Sequence, residues 1–546
     1  MCPIRHISIL ALLIWAVWSV KLEAQEWKQY PYTPEGSLIS FPVDEGWHPA
    51  EEVEWWYIAG YLEGAASSTP YSFMLSYFYY PDTYLTYEFD GFRILNISND
   101  QTGVFHTHTM ILNYQDLATD QLHIDARLFD DVQEHWYHKE ETDGTLIPFE
   151  YELWASSGQD TLELSTVALK APLIPGGDGL FDQGAQSYTY YYSLTESSVE
   201  GTLTFEGTSE EVFGSAWIDR QYGTFNPNTG EQYEWFYLQL SNGMDLNIWN
   251  IFTTDNQQPD HPSFRHLSVY VDEENQYTTH DFQLERSAWA KMPLTENCYA
   301  QEWRLTSGTD QLDLTFSTLF HNSEVELPFY FFEGAISASG TVNGSSVNGR
   351  GFAELLKRYQ DPQIQLIGPD ESWNENIPIR WEVQNPDDGR PLLFDLFYST
   401  TGEEPWSPIG SEISDTLFYW NDPPFVNGDT CRFRVEAYTA DLTLLGTAIS
   451  TGVIQYDDQY TDVQQNQIPE ISTRLSGDRL WIEWNDGRQA SANRQSRYRI
   501  MDLSGRILLR GELSEASIDV GSLGNGIYVI SLRSPGGNTS VKFIRQ

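Results

Sequence analysis

The 546-residue sequence predicts an all-β protein of several domains: two β-barrels in tandem, then two β-sandwiches. Three observations carry this. Short aromatic and aliphatic runs alternate with Gly, Asn and Asp clusters, and no long helical period interrupts them. Aromatic residues make up 14% of the chain beside 40 Gly and 26 Pro, a balance suited to sheets and turns. Finally, Glu54-Trp-Trp-Tyr-Ile-Ala-Gly-Tyr-Leu-Glu-Gly64 is echoed with one gap by Glu234-Trp-Phe-Tyr-Leu-Gln-Leu-Ser-Asn-Gly243, so the N-terminal region holds a duplicated unit.

Taken in order, residues 1–24 read as a secretory signal peptide, with Arg5, an apolar run from Ile7 to Val20 and the small-residue end at Ala24. No other stretch reaches membrane-spanning length. Residues 25–210 form the first expected barrel, with strands at 55–62, 72–79, 104–113, 121–129, 149–155, 161–168 and 202–205. His106 and His108 fall on one face of a strand. No carboxylate or third histidine completes a metal-ligand spacing, so they are expected to line the barrel or face solvent. His135 and His138 are expected in a charged loop.

The second expected barrel, 211–360, opens on the stretch Gly214-Ser-Ala-Trp-Ile-Asp-Arg-Gln-Tyr-Gly223, which sets Trp217 and Asp219 on one face of a strand. The residues after it form a hairpin turning at Asn242-Gly243. With a two-residue turn, Trp235, Tyr237 and Gln239 share a face with Leu246, Ile248 and Asn250, and Trp249 falls on the other. Neither face is then wholly apolar, as expected for a wall with packing on one side and a semi-polar cavity on the other.

These segments resemble the AttH and carotenoid hydratase (hydroxyneurosporene synthase) family. The resemblance rests on the Gly214–Gly223 stretch, the Glu234-Trp-Phe hairpin, His48–Gly64, Lys170-Ala-Pro172 with Ser187–Ser193, and Phe332-Glu-Gly334 with Gly351–Tyr359. It implies two lipocalin-like (calycin) barrels in tandem. It also implies chemistry in which a buried acid protonates an alkene and water captures the cation. On that basis Asp219 and Tyr222 are the candidate catalytic residues, and Trp55, Tyr57, Trp217, Trp235, Tyr237, Trp249 and Glu333 the candidate ligand-binding ones. The chain departs from the hydratase pattern at Arg220 and Tyr222, where the family carries His and Trp. The alternative for Asp219 is structural, tying a turn or pairing with Arg220.

Residues 363–456 resemble a fibronectin type III-like or other immunoglobulin-like sandwich. After a polar linker at 457–469, residues 470–546 resemble the C-terminal sorting domain of type IX secretion cargo in the Bacteroidetes. That last segment carries 11 Lys/Arg against 8 Asp/Glu in a chain of net charge -49, which marks it as a different kind of module. The overall acidity argues against nucleic acid as a partner.

The expected product is a protein secreted or held at the outer-membrane cell surface, exported through the type IX machinery. Its partner is expected to be an apolar small molecule (lipid, terpenoid or carotenoid) in an aromatic-lined barrel cavity, with no cofactor and no metal. Two alternatives stand beside it: a hydratase, isomerase or cyclase acting on an isoprenoid or lipid alkene through Asp219, and a surface-display or adhesion protein.

Overall fold

Ten strands close on one another in the N-terminal part of the computed structural model. They belong to the run β1 Val53–Gly64, β2 Pro70–Tyr84, β3 Tyr87–Asn99, β4 Val104–Leu117, β5 His123–Leu128, β6 Gln133–Glu140, β7 Leu146–Ser157, β8 Asp160–Ala168, β9 Leu180–Gln183, β10 Ser187–Phe205 and β11 Thr208–Gly223. The sheet runs β11-β1-β2-β3-β4-β5-β6-β7-β8-β10, and the pairing of β10 with β11 closes it, with β9 added beside β10. The expected division at residues 210/211 falls inside β11. The structure describes residues 25–459 and 471–545, apart from 226–228, 328, 370, 385–388, 440–441, 485–496, 503–506, 514–516 and 535–536; the expected signal peptide and most of the expected linker lie outside the described residues.

The lumen of this barrel is filled by the protein's own side chains, apolar ones such as Leu75, Leu95 and Trp136 together with polar networks. Tyr77 from β2 and Arg93 from β3 meet Glu134 from β6, the hydroxyl donating at 2.8 Å and the guanidinium at 2.8 and 3.0 Å. Arg93 and Glu134 are both 0% exposed, and the pair is stable there because hydrogen bonds satisfy nearly all of its polar atoms. A second knot joins Glu45 to Tyr30, His138 and Tyr151, and a third joins Glu54 to His48 and Arg220, whose guanidinium lies 3.9 Å from the Trp56 ring centroid. His135 and His138, expected in a loop, lie on β6, where His138 is buried against Glu45. Two of the three inward positions of β6, Glu134 and His138, are polar and flank buried Trp136, so its sequence lacks an apolar alternation.

The second sheet comprises β12 Gln232–Leu240, β13 Asp245–Phe252, β14 Arg265–Tyr270, β15 Gln276–Thr279, β16 Phe282–Lys291, β17 Cys298–Ser307, β18 Leu312–Thr318, β19 Glu324–Glu326, β20 Tyr330–Val342 and β21 Ser345–Leu355. Its order is β15-β14-β13-β12-β21-β20-β18-β17-β16, with β19 on β20. Among the described residues β15 does not pair with β16, so this sheet is a half-barrel rather than a second closed one.

The β12–β13 register differs from the expected one by a single residue. Trp235 pairs with Trp249, Tyr237 with Asn247 and Gln239 with Asp245, because the connection is the three-residue loop Ser241-Asn242-Gly243 with Gly243 at φ +89. A slip of one residue exchanges the faces. One face carries Phe236, Leu238, Leu246 and Ile248, which pack on Trp303 and Phe316 inside the half-barrel, with Glu234 and Asn250 at its far end. The other carries Trp235, Tyr237, Asn247 and Trp249.

Beyond these sheets the chain remains β. Residues 364–456 form a three-stranded and a six-stranded sheet around buried Trp373, Trp381 and Phe433, and residues 471–545 form a three-stranded and a four-stranded sheet. Among the described residues no helix is long and apolar enough to cross a membrane.

Candidate functional site

The polar-aromatic face of β12 and β13 packs against the outer wall of the closed barrel, and the candidate site is the seam between them. Strand alternation sets its composition. On β1, Trp55, Tyr57 and Ala59 face outward; on β11, Trp217 and Asp219 do; and Tyr57 lies directly across from Asp219, Ala59 from Trp217. The duplicated strands thus meet face to face: Tyr57 is edge-on to Trp235 at 5.5 Å, Trp217 stacks on Tyr237 at 4.7 Å, and the Tyr237 hydroxyl donates to the Ala59 carbonyl at 3.2 Å.

Asp219 is buried in this seam, 3% exposed. It accepts hydrogen bonds from the Tyr191 hydroxyl at 2.5 Å and the Trp217 indole N–H at 2.6 Å, and it interacts with the Ser193 hydroxyl. It does not pair with Arg220, which points to the lumen side of β11. Burial pushes its carboxyl up to about 7 despite those donors, so near neutrality a large share of the group holds its proton.

Two further acids lie on the facing sheet. Glu333 on β20 and Glu354 on β21 are cross-strand neighbours with hydrogen-bonded carboxyls. The Tyr57 hydroxyl donates to Glu333 at 2.8 Å and the Tyr233 hydroxyl to Glu354. Burial raises both, and the proximity of Glu354 raises Glu333 further. The seam is therefore a surface of three buried carboxyls, each raised by burial, walled by aromatic rings.

Toward the edge, Trp249 and Phe181 flank His266, which burial lowers to about 3 and so keeps neutral. Both ring nitrogens of His266, the Gln183 amide and the indole N–H groups of Trp235 and Trp249 are buried without a hydrogen-bond partner among the described residues. Such a concentration is uncommon, because a buried polar group left unpaired costs about 1–3 kcal/mol. Gln183, Tyr233, Trp249 and Phe225 line a cleft here with about 20 Å³ of free space, room for one water.

The structure brings Trp55, Tyr57, Trp217, Asp219, Trp235, Tyr237, Trp249 and Glu333 onto the seam. It does not bring Tyr222 there. Three residues beyond Asp219, Tyr222 occupies the opposite face of β11, stacked on His48 at 3.6 Å, with its hydroxyl on Asp44 at 3.1 Å. Sequence reasoning missed Glu354, Tyr191, Tyr233, His266 and Gln183. Glu354 and Tyr191 lie within segments that carried the family resemblance, but only sheet register shows their proximity to Glu333 and Asp219. The His106–His108 pair, for which the sequence shows no third ligand at a recognisable spacing, faces the lumen, and Asp160 stands against both rings.

Comparison with known proteins places these observations. Residues 32–359 match the AttH-like family, and residues 476–546 match the secretion system C-terminal sorting domain. A crystal structure of an AttH protein from Nitrosomonas europaea is 21% identical, covers 60% of this chain and 99% of its own, and superposes with a TM-score of 0.49. Kievitone hydratase from Nectria haematococca is 18% identical, with 60% and 98% covered and a TM-score of 0.48. No curated protein matches the chain. The sorting domain indicates type IX secretion to the cell surface or beyond. With its closed barrel, facing half-barrel and a match spanning most of the sequence, the chain belongs to the AttH-like family.

Proposed function

We propose that the protein is a secreted binder of an apolar small molecule, a lipid, terpenoid or carotenoid, and that the molecule is held in the seam between the two sheets rather than in a barrel lumen. The observation that carries this reading is the pairing of an aromatic wall with unpartnered polar atoms at the cleft beside Trp249 and Gln183. The rings offer dispersion and apolar area, and His266, Gln183 and the indole N–H groups offer hydrogen bonds to one polar end. The lumen is already occupied by the protein's own side chains, the Arg93–Glu134 network among them.

A second reading is favoured by the carboxyl of Asp219, which holds its proton up to about 7. Such an acid can protonate an alkene carbon. The π pair forms the new C–H bond, the cation develops on the more substituted carbon, and Trp217, Tyr237 and Trp235 shelter it at about 1–2 kcal/mol per ring. Water then adds, and its surplus proton returns to the carboxylate. This is hydration or, if a proton leaves carbon instead, isomerisation.

The test incubates the full chain with a bacterial lipid extract and identifies by mass spectrometry what remains bound and whether it is altered. Retention of an unaltered apolar molecule supports binding, and a product lost in Asp219→Asn supports the acid reading. Retention of no apolar molecule overturns both and leaves surface display.

A further inference from the structure

We propose that His106, His108 and Asp160 bind one divalent first-row transition ion of the zinc type at an end of the closed barrel, on the lumen face and away from the seam. His106 and His108 pair across the sheet with Ile97 and Leu95, both fully buried, so the two imidazoles project to the side on which Arg93 also lies. Asp160 begins β8 after the turn from β7, and its side chain is 2% exposed whereas the imidazoles are 29% and 28% exposed.

The three ligand atoms, His106 Nδ1, His108 Nε2 and Asp160 Oδ2, lie within 4.8 Å of one another, and this is the one group of its kind among the described residues. The two nitrogens stand 2.7 and 2.8 Å from the same carboxylate oxygen. Ligand atoms each about 2.1 Å from an ion are separated by about 3.0 Å in octahedral and about 3.4 Å in tetrahedral geometry. Each nitrogen therefore needs to withdraw by less than about 1 Å to seat one, within the reach of side-chain torsion alone.

The surroundings are those of a supported site. The Glu206 backbone N–H donates to Asp160 Oδ1 at 2.9 Å and turns Oδ2 toward the rings. The Glu206 carboxylate lies 3.9 Å from His106 Nε2, the nitrogen that must carry the proton when Nδ1 holds an ion. The His106 ring rests on Phe205 at 4.7 Å, and Arg93 fixes the His108 carbonyl at 3.0 Å. The nitrogen of each ring that faces the ion must be free of its proton, which leaves the far nitrogen to carry the N–H. Two imidazoles with one carboxylate suit zinc, cobalt or nickel better than magnesium or calcium, and the solvent side leaves positions for water.

The experiment titrates the chelator-stripped full chain with zinc by calorimetry. One ion per chain is expected, with affinity reduced at least about 100-fold in His106→Gln/His108→Gln and about 10-fold in Glu206→Gln, as for loss of an outer partner. Equal uptake by the double variant, or none by the unaltered protein, overturns the proposal. Anomalous diffraction at the zinc edge from crystals of the unaltered protein needs no variant. A peak between the three side chains supports the site, and a peak elsewhere contradicts it.

Discussion

Asp219 is an acid that its surroundings keep protonated, and this has a measurable thermodynamic sign. Its pKa is about 7 in the folded protein against 3.8 for an unperturbed group, so between those values the folded state keeps a proton that the unfolded chain has released. The group's contribution to stability is fully present below about pH 4 and is lost as pH rises to about 7. Asn at this position does not titrate. The stability of the wild type relative to Asp219→Asn should therefore fall by up to about 1.4 kcal/mol per pH unit across that window, as read from urea unfolding at about pH 5 and about pH 7. An unchanged difference would mean that Asp219 is ionised in the fold. Asp219 was legible in the sequence because Trp217 and Asp219 share a strand face with a distinctive run around them. Tyr222 was not separable from them by family pattern, and only counting alternation along β11 puts it on the other side. Glu354 was overlooked although a local signal was present, since the two-residue turn Asn343-Gly344 sets the β20–β21 register that puts it across from Glu333.

At the scale of elements, the β12–β13 hairpin and the barrel core each make a prediction. Gly243 sits at φ +89 with open space around its Cβ position, so Gly243→Ala is strained by backbone conformation alone. It should cost about 1 kcal/mol, seen as a lower urea midpoint with unchanged slope. Arg93→Leu removes the guanidinium from a carboxylate that is 0% exposed, and should cost about 3–5 kcal/mol in the same measurement. The hairpin itself was readable from Asn242-Gly243, but its register was not, since two- and three-residue loops share that signature and differ by one residue in pairing. β6 was missed because its inward positions include Glu134 and His138. Buried polar partners such as Arg93 and Glu45 disguise such a strand as a charged loop.

The molecule joins a family fold to an export signal. The all-β architecture, the duplicated unit and the sorting domain were legible as repeated strand patterns and matched phrases. The half-open second sheet and the seam were not, because both depend on which distant strands pair. Removing residues 476–546 should abolish passage across the outer membrane in a host with type IX machinery, read by fractionation of cells and medium. The central claim concerns where an apolar molecule is held, and a crystal structure of the full chain grown after incubation with a lipid extract addresses it most directly. The account predicts ligand density among Trp217, Trp235, Tyr237 and Trp249, within reach of Asp219 or Gln183. Density in the lumen of the closed barrel, with Arg93 displaced from Glu134, would contradict it.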